Sequence, residues 1–175
     1  MKVSRIVIGP LQSNCYLIKN DKDEYLLIDP GEDYDSIRKF IFNKKIVGVI
    51  ITHSHYDHMA SAKSLEDDYN LKLYSFANLK EGMNKIGNFI FEVIYTLGHT
   101  MDCISIYFSK DKIMFTGDFL FKGSVGRWDF PESNYGEMLK SIKKIKNYPR
   151  DIVIYPGHGN HTTIGDELLS NPFLS

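Results

Sequence analysis

Between an apolar run ending at Thr52 and a helical stretch beyond residue 58, the chain reads His53-Ser54-His55-Tyr56-Asp57-His58. No other feature restricts the fold as much, because four side chains able to hold a metal ion crowd into six residues. At this chain's own histidine and aspartate frequencies, such a window arises by chance on the order of once in several thousand sequences of this length. Three further candidates follow the same rule of placement. His99 stands in Gly98-His99-Thr100, Asp118 in Gly117-Asp118 and His158 in Pro156-Gly157-His158-Gly159, each just past a strand-like run. Strand ends are rigid while loops are accessible, so a polar site is best held there. If these strands end on one side, all seven side chains can converge.

β-branched and aromatic runs predict strands over Cys15–Lys19, Tyr25–Asp29, Ile46–Thr52, Phe89–Tyr95, Ile104–Phe108, Ile113–Thr116 and Ile152–Tyr155. Helical spacing of Ile37, Phe40 and Ile41 predicts a helix within 33–44, and a second follows His58 through Ala62 and Leu65 to about Tyr69. The clearest helix covers about 135–147, with Met138, Leu139, Ile142 and Ile145 as its apolar stripe. Asn134 is placed to cap it, with Glu137 three residues on and Pro149 beyond its end. This order of elements predicts sheets with helices packed outside them, whereas periodicity alone leaves one sheet or two open.

A length of 175 residues fits a single domain, 1–175, with no repeat, linker or low-complexity tract. Its 43% hydrophobic and 25% charged residues exclude disorder and coiled coil. Twenty-one basic against 22 acidic residues leave a net charge of −1, which gives no footprint for a nucleic-acid partner. No basic amphipathic or ~20-residue apolar stretch suits a membrane. The first ten residues lack a signal-peptide pattern, and Cys15 and Cys103 form no C-x-x-C pair. The chain is therefore expected to be cytoplasmic, with both cysteines as thiols in the core.

Imidazoles and carboxylates suit zinc, iron and manganese. Five histidines and two aspartates exceed the needs of one tetrahedral ion and are enough for two ions sharing a carboxylate and a water. In an extended segment His53 and His55 face one side, so both can bind one ion, while Asp57 and His58 reach a second. His161, outside these arrangements, is read as a surface residue. A G-x-S-x-G elbow, P-loop, H-E-x-x-H helix and G-x-G-x-x-G turn are all absent.

These residues resemble the metallo-β-lactamase superfamily, and within it the glyoxalase II-like (hydroxyacylglutathione hydrolase-like) hydrolases. Nearly the whole chain takes part: Asn14-Cys15-Tyr16-Leu17-Ile18, Ile28-Asp29-Pro30-Gly31, the histidine box, Gly98-His99-Thr100, Thr116-Gly117-Asp118, Gly157-His158-Gly159, Thr162–Gly165 and Asn171-Pro172-Phe173. The stretch Gly123–Phe130 looks like the substrate loop of the small single-domain members. The resemblance implies an α+β fold, an αβ/βα sandwich of two face-to-face sheets with helices on the outer faces and the site along one edge. It implies two divalent cations, zinc first, with iron or manganese as alternatives. His53, His55 and His99 would hold one, Asp57, His58 and His158 the other, with Asp118 bridging and Asp29 orienting a ligand histidine or simply forming the turn before Pro30-Gly31. Asp57 and Asp118 would be the catalytic carboxylates around a metal-bridging hydroxide that attacks a small thioester.

The sequence also departs from that pattern. It ends at Ser175 without the helical domain that carries the glutathione contacts of full-length glyoxalase II, and Gly159 stands where a tyrosine is common. Arg127 then becomes the candidate for a substrate carboxylate, or else the partner of Asp129, and Trp128 either walls the pocket or packs in its loop. A persulfide dioxygenase of the same fold, with one iron on His53, His99 and Asp118, is an alternative activity. A lactam, lactone or phosphoester hydrolase is another.

Overall fold

The alternation of apolar side chains along each strand dictates the layering. In the computed structural model, which describes residues 1–174, the first half runs β1 (Lys2–Ile8), β2 (Ser13–Lys19), β3 (Tyr25–Ile28), α1 (Tyr34–Ile41), β4 (Ile46–Ile50), α2 (Tyr56–Met59), α3 (Ala62–Tyr69) and β5 (Leu73–Tyr74). Its strands form one sheet in the order β1-β2-β3-β4-β5. The second half runs β6 (Gly82–Ile86), β7 (Phe89–Tyr95), β8 (Ile104–Phe108), β9 (Ile113–Gly117), a small hairpin of β10 (Leu120–Phe121) and β11 (Ser124–Val125), α4 (Tyr135–Ile145), β12 (Val153–Pro156), β13 (Thr162–Thr163) and α5 (Ile164–Ser170). Its main sheet has the order β13-β12-β9-β8-β7-β6.

Tyr16, Ile18, Leu26, Ile28 and Ile50 face inward from the first sheet and meet Phe91, Val93, Ile104, Ile106, Phe108 and Phe115 from the second. The alternate residues Cys15, Leu17, Leu27 and Val49 turn outward, onto Ile37 and Ile41 of α1 and Leu65 of α3. On the opposite outer face, Met114 and Ile154 receive Met138, Ile142 and Ile145 of α4 and Ile164 of α5. The result is the expected αβ/βα sandwich, four layers built from a two-residue strand period and a helical stripe. Asn134 caps α4 by accepting from the Glu137 backbone N–H at 3.0 Å. Cys15 and Cys103 are buried free thiols, and His161 is exposed. Among the described residues no helix is long and apolar enough to cross a membrane.

Three parallel pairs, β3 with β4, β4 with β5 and β9 with β12, are joined through helical crossovers. Their carboxyl ends lie at one edge of the sandwich, where the sheets are tied together. Ile104 N–H donates to Thr52 O at 2.9 Å and Asn14 N–H to Gly157 O at 2.7 Å, while within the second sheet Gly157 N–H donates to Gly117 O at 2.8 Å.

The strands β1 and β6 and the helix α5 have no counterpart in the sequence reading. Both strands are edges, β1 pairing only with β2 and β6 only with β7, and Lys2, Arg5, Asn84 and Lys85 break their apolar runs. At seven residues, α5 is too short to display a helical period.

Phe115 is 1% exposed and touches Tyr16 edge-on at 5.1 Å and Tyr155 face-on at 5.2 Å between ring centroids. Phe115→Ala should cost about 3–5 kcal/mol in denaturant unfolding. A loss below about 1 kcal/mol would mean that the sheets do not close over this ring. Glu24 offers a pH test. Hydrogen bonds from the Asn88 side chain and backbone, with Asn20 and Lys45 adding to them, hold its carboxyl down to about 2 from the ordinary 4.5. The stability this contributes is present above 4.5 and lost as pH falls toward 2. Acid titration of Glu24→Gln should therefore show a shallower loss than the parent over that interval.

Candidate metal centre

The strands deliver the ligands. Asp29 follows β3, Thr52 and His53 follow β4, His99 follows β7, Asp118 follows β9 and His158 follows β12. Asp57 and His58 sit on the single turn of α2, buried. Seven side chains fall into two groups, His53, His55, His99 and Asp118 in one and Asp57, His58 and His158 in the other, the chosen ligand atoms of each group lying within 4.8 Å of one another. In the first, His99 Nε2 is 2.9 Å from His55 Nδ1, and Asp118 Oδ2 lies 3.6 Å from His99 Nε2 and 3.9 Å from His53 Nε2. In the second, Asp57 Oδ2 is 3.3 Å from His58 Nε2 and 3.2 Å from His158 Nε2. Asp118 reaches this group too, with Oδ1 3.3 Å from His58 Nε2 and Oδ2 3.4 Å from His158 Nε2.

The outer hydrogen bonds settle the tautomers. Thr52 Oγ1 donates its only proton to Asp29 Oδ2 at 2.7 Å, so at 3.1 Å it accepts from His53 Nδ1–H. His58 Nδ1–H donates to Asp29 Oδ2 at 3.1 Å, and His99 Nδ1–H to the Arg127 carbonyl at 2.8 Å. His55 is reversed, its Nε2–H donating to Glu132 Oε1 at 3.1 Å. Four imidazoles are thereby set with their second nitrogen facing the cluster, as metal-binding histidines are.

Lone pairs and two carboxylates aimed at one another in a buried place repel unless positive charge lies between them. Three buried side-chain atoms have no hydrogen-bond partner among the described residues, and two of them, His53 Nε2 and Asp118 Oδ1, belong to the cluster. Burial, with His58 beside it, pushes His53 well below the usual imidazole range. Burial also works against a charged His58, but the carboxylates of Asp118, Asp29 and Asp57 around it outweigh that and hold His58 well above that range. His158 is raised to about 9, its desolvation being overcome by Asp118 and Asp57. Asp118 is held well below the carboxylate range, the His158 and His58 imidazoles beside it prevailing over desolvation. The cluster thus draws in positive charge, and its N and O donors fit one or two divalent cations.

Three supports of the cluster had no signal in the sequence reading: Thr52, Glu132 and Ser13, whose hydroxyl donates to Asp57 Oδ2 at 2.7 Å. Arg127 pairs with Asp129 through two bonds, Nε to Oδ1 at 2.9 Å and Nη2 to Oδ2 at 3.0 Å. Its guanidinium also lies 4.3 Å over the Phe130 ring. Trp128 packs on Tyr135 and Phe173, with centroids at 5.4 and 5.5 Å, and with Ser124, Val125, Arg127, Asp129 and Phe173 it lines an open cavity of about 340 Å³.

The family model of the metallo-beta-lactamase superfamily matches residues 8–87 and 84–158. Hydroxyacylglutathione hydrolase GloC of Haemophilus influenzae is 31% identical over all of this chain and 99% of its own length. Among solved structures, the B3 metallo-beta-lactamase BLEG-1 superposes with a TM-score of 0.93 at 29% identity, over 99% of this chain and 100% of its own. TTHA1623, solved in a di-iron-bound form, gives 0.89 at 28% identity over 98% and 100%. ETHE1 from Myxococcus xanthus gives 0.89 at 26% identity over 98% and 84%.

Two substitutions probe the cluster without touching a ligand. Asp29→Ala removes the acceptor of Thr52 and His58, and metal affinity measured by chelator competition should fall by about 10–100-fold. An added Cβ at Gly157 would stand 2.1 Å from Asp118 Oδ1 and 2.7 Å from His58 Cε1. Gly157→Ala should therefore lower metal content per folded chain, read by elemental analysis of monodisperse protein.

Proposed function

Because the chain belongs to the metallo-beta-lactamase superfamily and is a metal-dependent hydrolase, we propose that it uses two cations, zinc first, to hydrolyse a small thioester of the S-lactoylglutathione type. The observation that carries this reading is the second ligand group. Asp57, His58 and His158 stand complete beside the first group, and Asp118 lies within 3.9 Å of a histidine nitrogen of each. When bound, a cation pair acidifies water toward neutral pH and polarises a carbonyl.

The chain's own part is placement. His53, His55 and His99 would hold one cation, Asp57, His58 and His158 the other, and the Asp118 carboxylate both. Ser13 fixes Asp57 Oδ2, so this carboxylate presents one defined oxygen. Phe130, 5.8 Å from His55 and 5.9 Å from His99, and Phe121, 6.2 Å from His158, flank the cluster and restrict water around the acyl group. Trp128 and its cavity would seat the thiol portion. Arg127 would reach a substrate carboxylate only by giving up Asp129, so strict dependence on glutathione is not required by this design. The likeness to GloC, named a hydroxyacylglutathione hydrolase, supports the thioester class. Two buried unpaired thiols fit a reducing, cytoplasmic setting.

One observation favours a second reading. The atoms of His53, His99 and Asp118 form a compact set around Asp118 Oδ2, enough for a single iron with open positions in a persulfide dioxygenase. Elemental analysis should be paired with assays of S-lactoylglutathione hydrolysis and of oxygen uptake with glutathione persulfide. Two metals per chain with thioester cleavage is the expected result. One iron per chain, oxygen uptake and no cleavage would replace the first reading by the second. Asp118→Ala should abolish either activity. His158→Ala should cripple the two-metal hydrolase and leave a one-iron enzyme much less affected.

A further inference from the structure

Of the four outer acceptors that fix an imidazole, three belong to the strand ends or to main chain: Thr52, Asp29 and the Arg127 carbonyl. The fourth, Glu132, is a side chain on the loop between β11 and α4. We propose that Glu132 is a positioning residue for the first ligand group. By accepting from His55 Nε2–H, it holds the tautomer whose Nδ1 lone pair faces His99 and raises the affinity of that group for a divalent cation. The proposal rests on reading the cluster as a metal centre.

His55 needs such help more than its neighbours do. Its side chain is 24% exposed, against 0% for His53 and His58 and 6% for His99. Water therefore competes for both of its ring nitrogens, and no strand holds its backbone, because His55 is the residue that precedes α2. An exposed ion pair ordinarily contributes little, since ordering two side chains offsets the attraction. Here most of that ordering is already done. At one end of the loop the Arg127 carbonyl accepts from His99. At the other, Ser133 Oγ–H donates to His99 O at 2.6 Å and Asn134 N–H to Gly98 O at 2.8 Å. Between these anchors Phe130 packs edge-on against both His55 and His99. Glu132 is thus held over His55 by a loop fastened on both sides to the segment carrying His99. The loop acts on two ligands of one group, through main chain on His99 and through a carboxylate on His55.

Glu132→Ala removes the acceptor, and Glu132→Gln keeps one. In metal-free protein at mildly alkaline pH, nitrogen NMR of the imidazoles should show His55 in the single Nε2–H tautomer in the parent and in Glu132→Gln, but in a tautomer mixture in Glu132→Ala. In Zn²⁺ titrations against a chelator, one of the two equivalents should bind about 10–100-fold more weakly in Glu132→Ala. Glu132→Gln should stay close to the parent, with thermal unfolding of the metal-free proteins unchanged. A Glu132→Ala protein that keeps the single tautomer and binds both equivalents normally would overturn the proposal, and so would a loss that Glu132→Gln fails to restore. A parent protein that takes up no Zn²⁺ would instead remove the metal-centre reading itself, so the two failures are distinguishable.

Discussion

The carboxylate of Asp29 is the interaction on which the arrangement turns. It accepts from the Thr52 backbone N–H at 2.8 Å, from Thr52 Oγ1 at 2.7 Å and from His58 Nδ1 at 3.1 Å. Through Thr52 it sets the tautomer of His53 in one ligand group, and directly it sets that of His58 in the other. It also joins the ends of the parallel strands β3 and β4 to the turn of α2, at 1% exposure. A buried anion with three donors is well satisfied and cannot move without breaking all three bonds. Both groups of donors therefore share one anchor that belongs to neither group. Asp29 itself adopts a left-handed backbone conformation, φ 53°, which aspartate tolerates better than most residues. The turn former before Pro30-Gly31 and the acceptor of His58 Nδ1–H are one and the same residue.

Much of this was legible in the sequence because each ligand obeys a local rule. His53, His99, Asp118 and His158 all follow runs that read as strands, and those runs are strands whose inward and outward faces alternate as their apolar residues do. Legibility fails where a neighbour rather than a period decides the structure. The strand β1 is ordered by pairing with β2 over its whole length, and β6 by pairing with β7, although polar and charged residues interrupt the apolar alternation of both. The supports of the site are hidden for a similar reason. Ser13 lies 44 positions from Asp57 and Glu132 lies 77 from His55, and neither belongs to a motif of fixed spacing. Only the closing of the sandwich edge brings them together. Arg127 is the intermediate case. Asp129, two residues on, was visible as a partner, but the service of its main-chain carbonyl to His99 carries no side-chain signature.

Two kinds of scaffold thus meet at the cluster and divide the labour. The strand ends, with inter-sheet hydrogen bonds at 2.7 to 2.9 Å, fix His53, Asp118 and His158 as rigidly as the sheets themselves. The segment from Phe121 to Asn134 lacks that support and is held at separate points instead. Gly126 N–H donates to Phe119 O at 3.1 Å, the buried Glu167 carboxylate accepts from Gly123 N–H at 2.8 Å, and Asn171 donates to Ser124 O at 3.0 Å. The C-terminal helix α5 and the residues just after it therefore act on the site indirectly, by fastening the loop that carries Arg127, Trp128, Phe130 and Glu132. A loop pinned in this way can change many of its exposed side chains without disturbing the strand ends, because its fastenings at Gly123, Ser124 and Gly126 use main chain on the loop side. Such a division keeps the metal-binding side chains on the sheets and leaves the surroundings of the cluster to the loop.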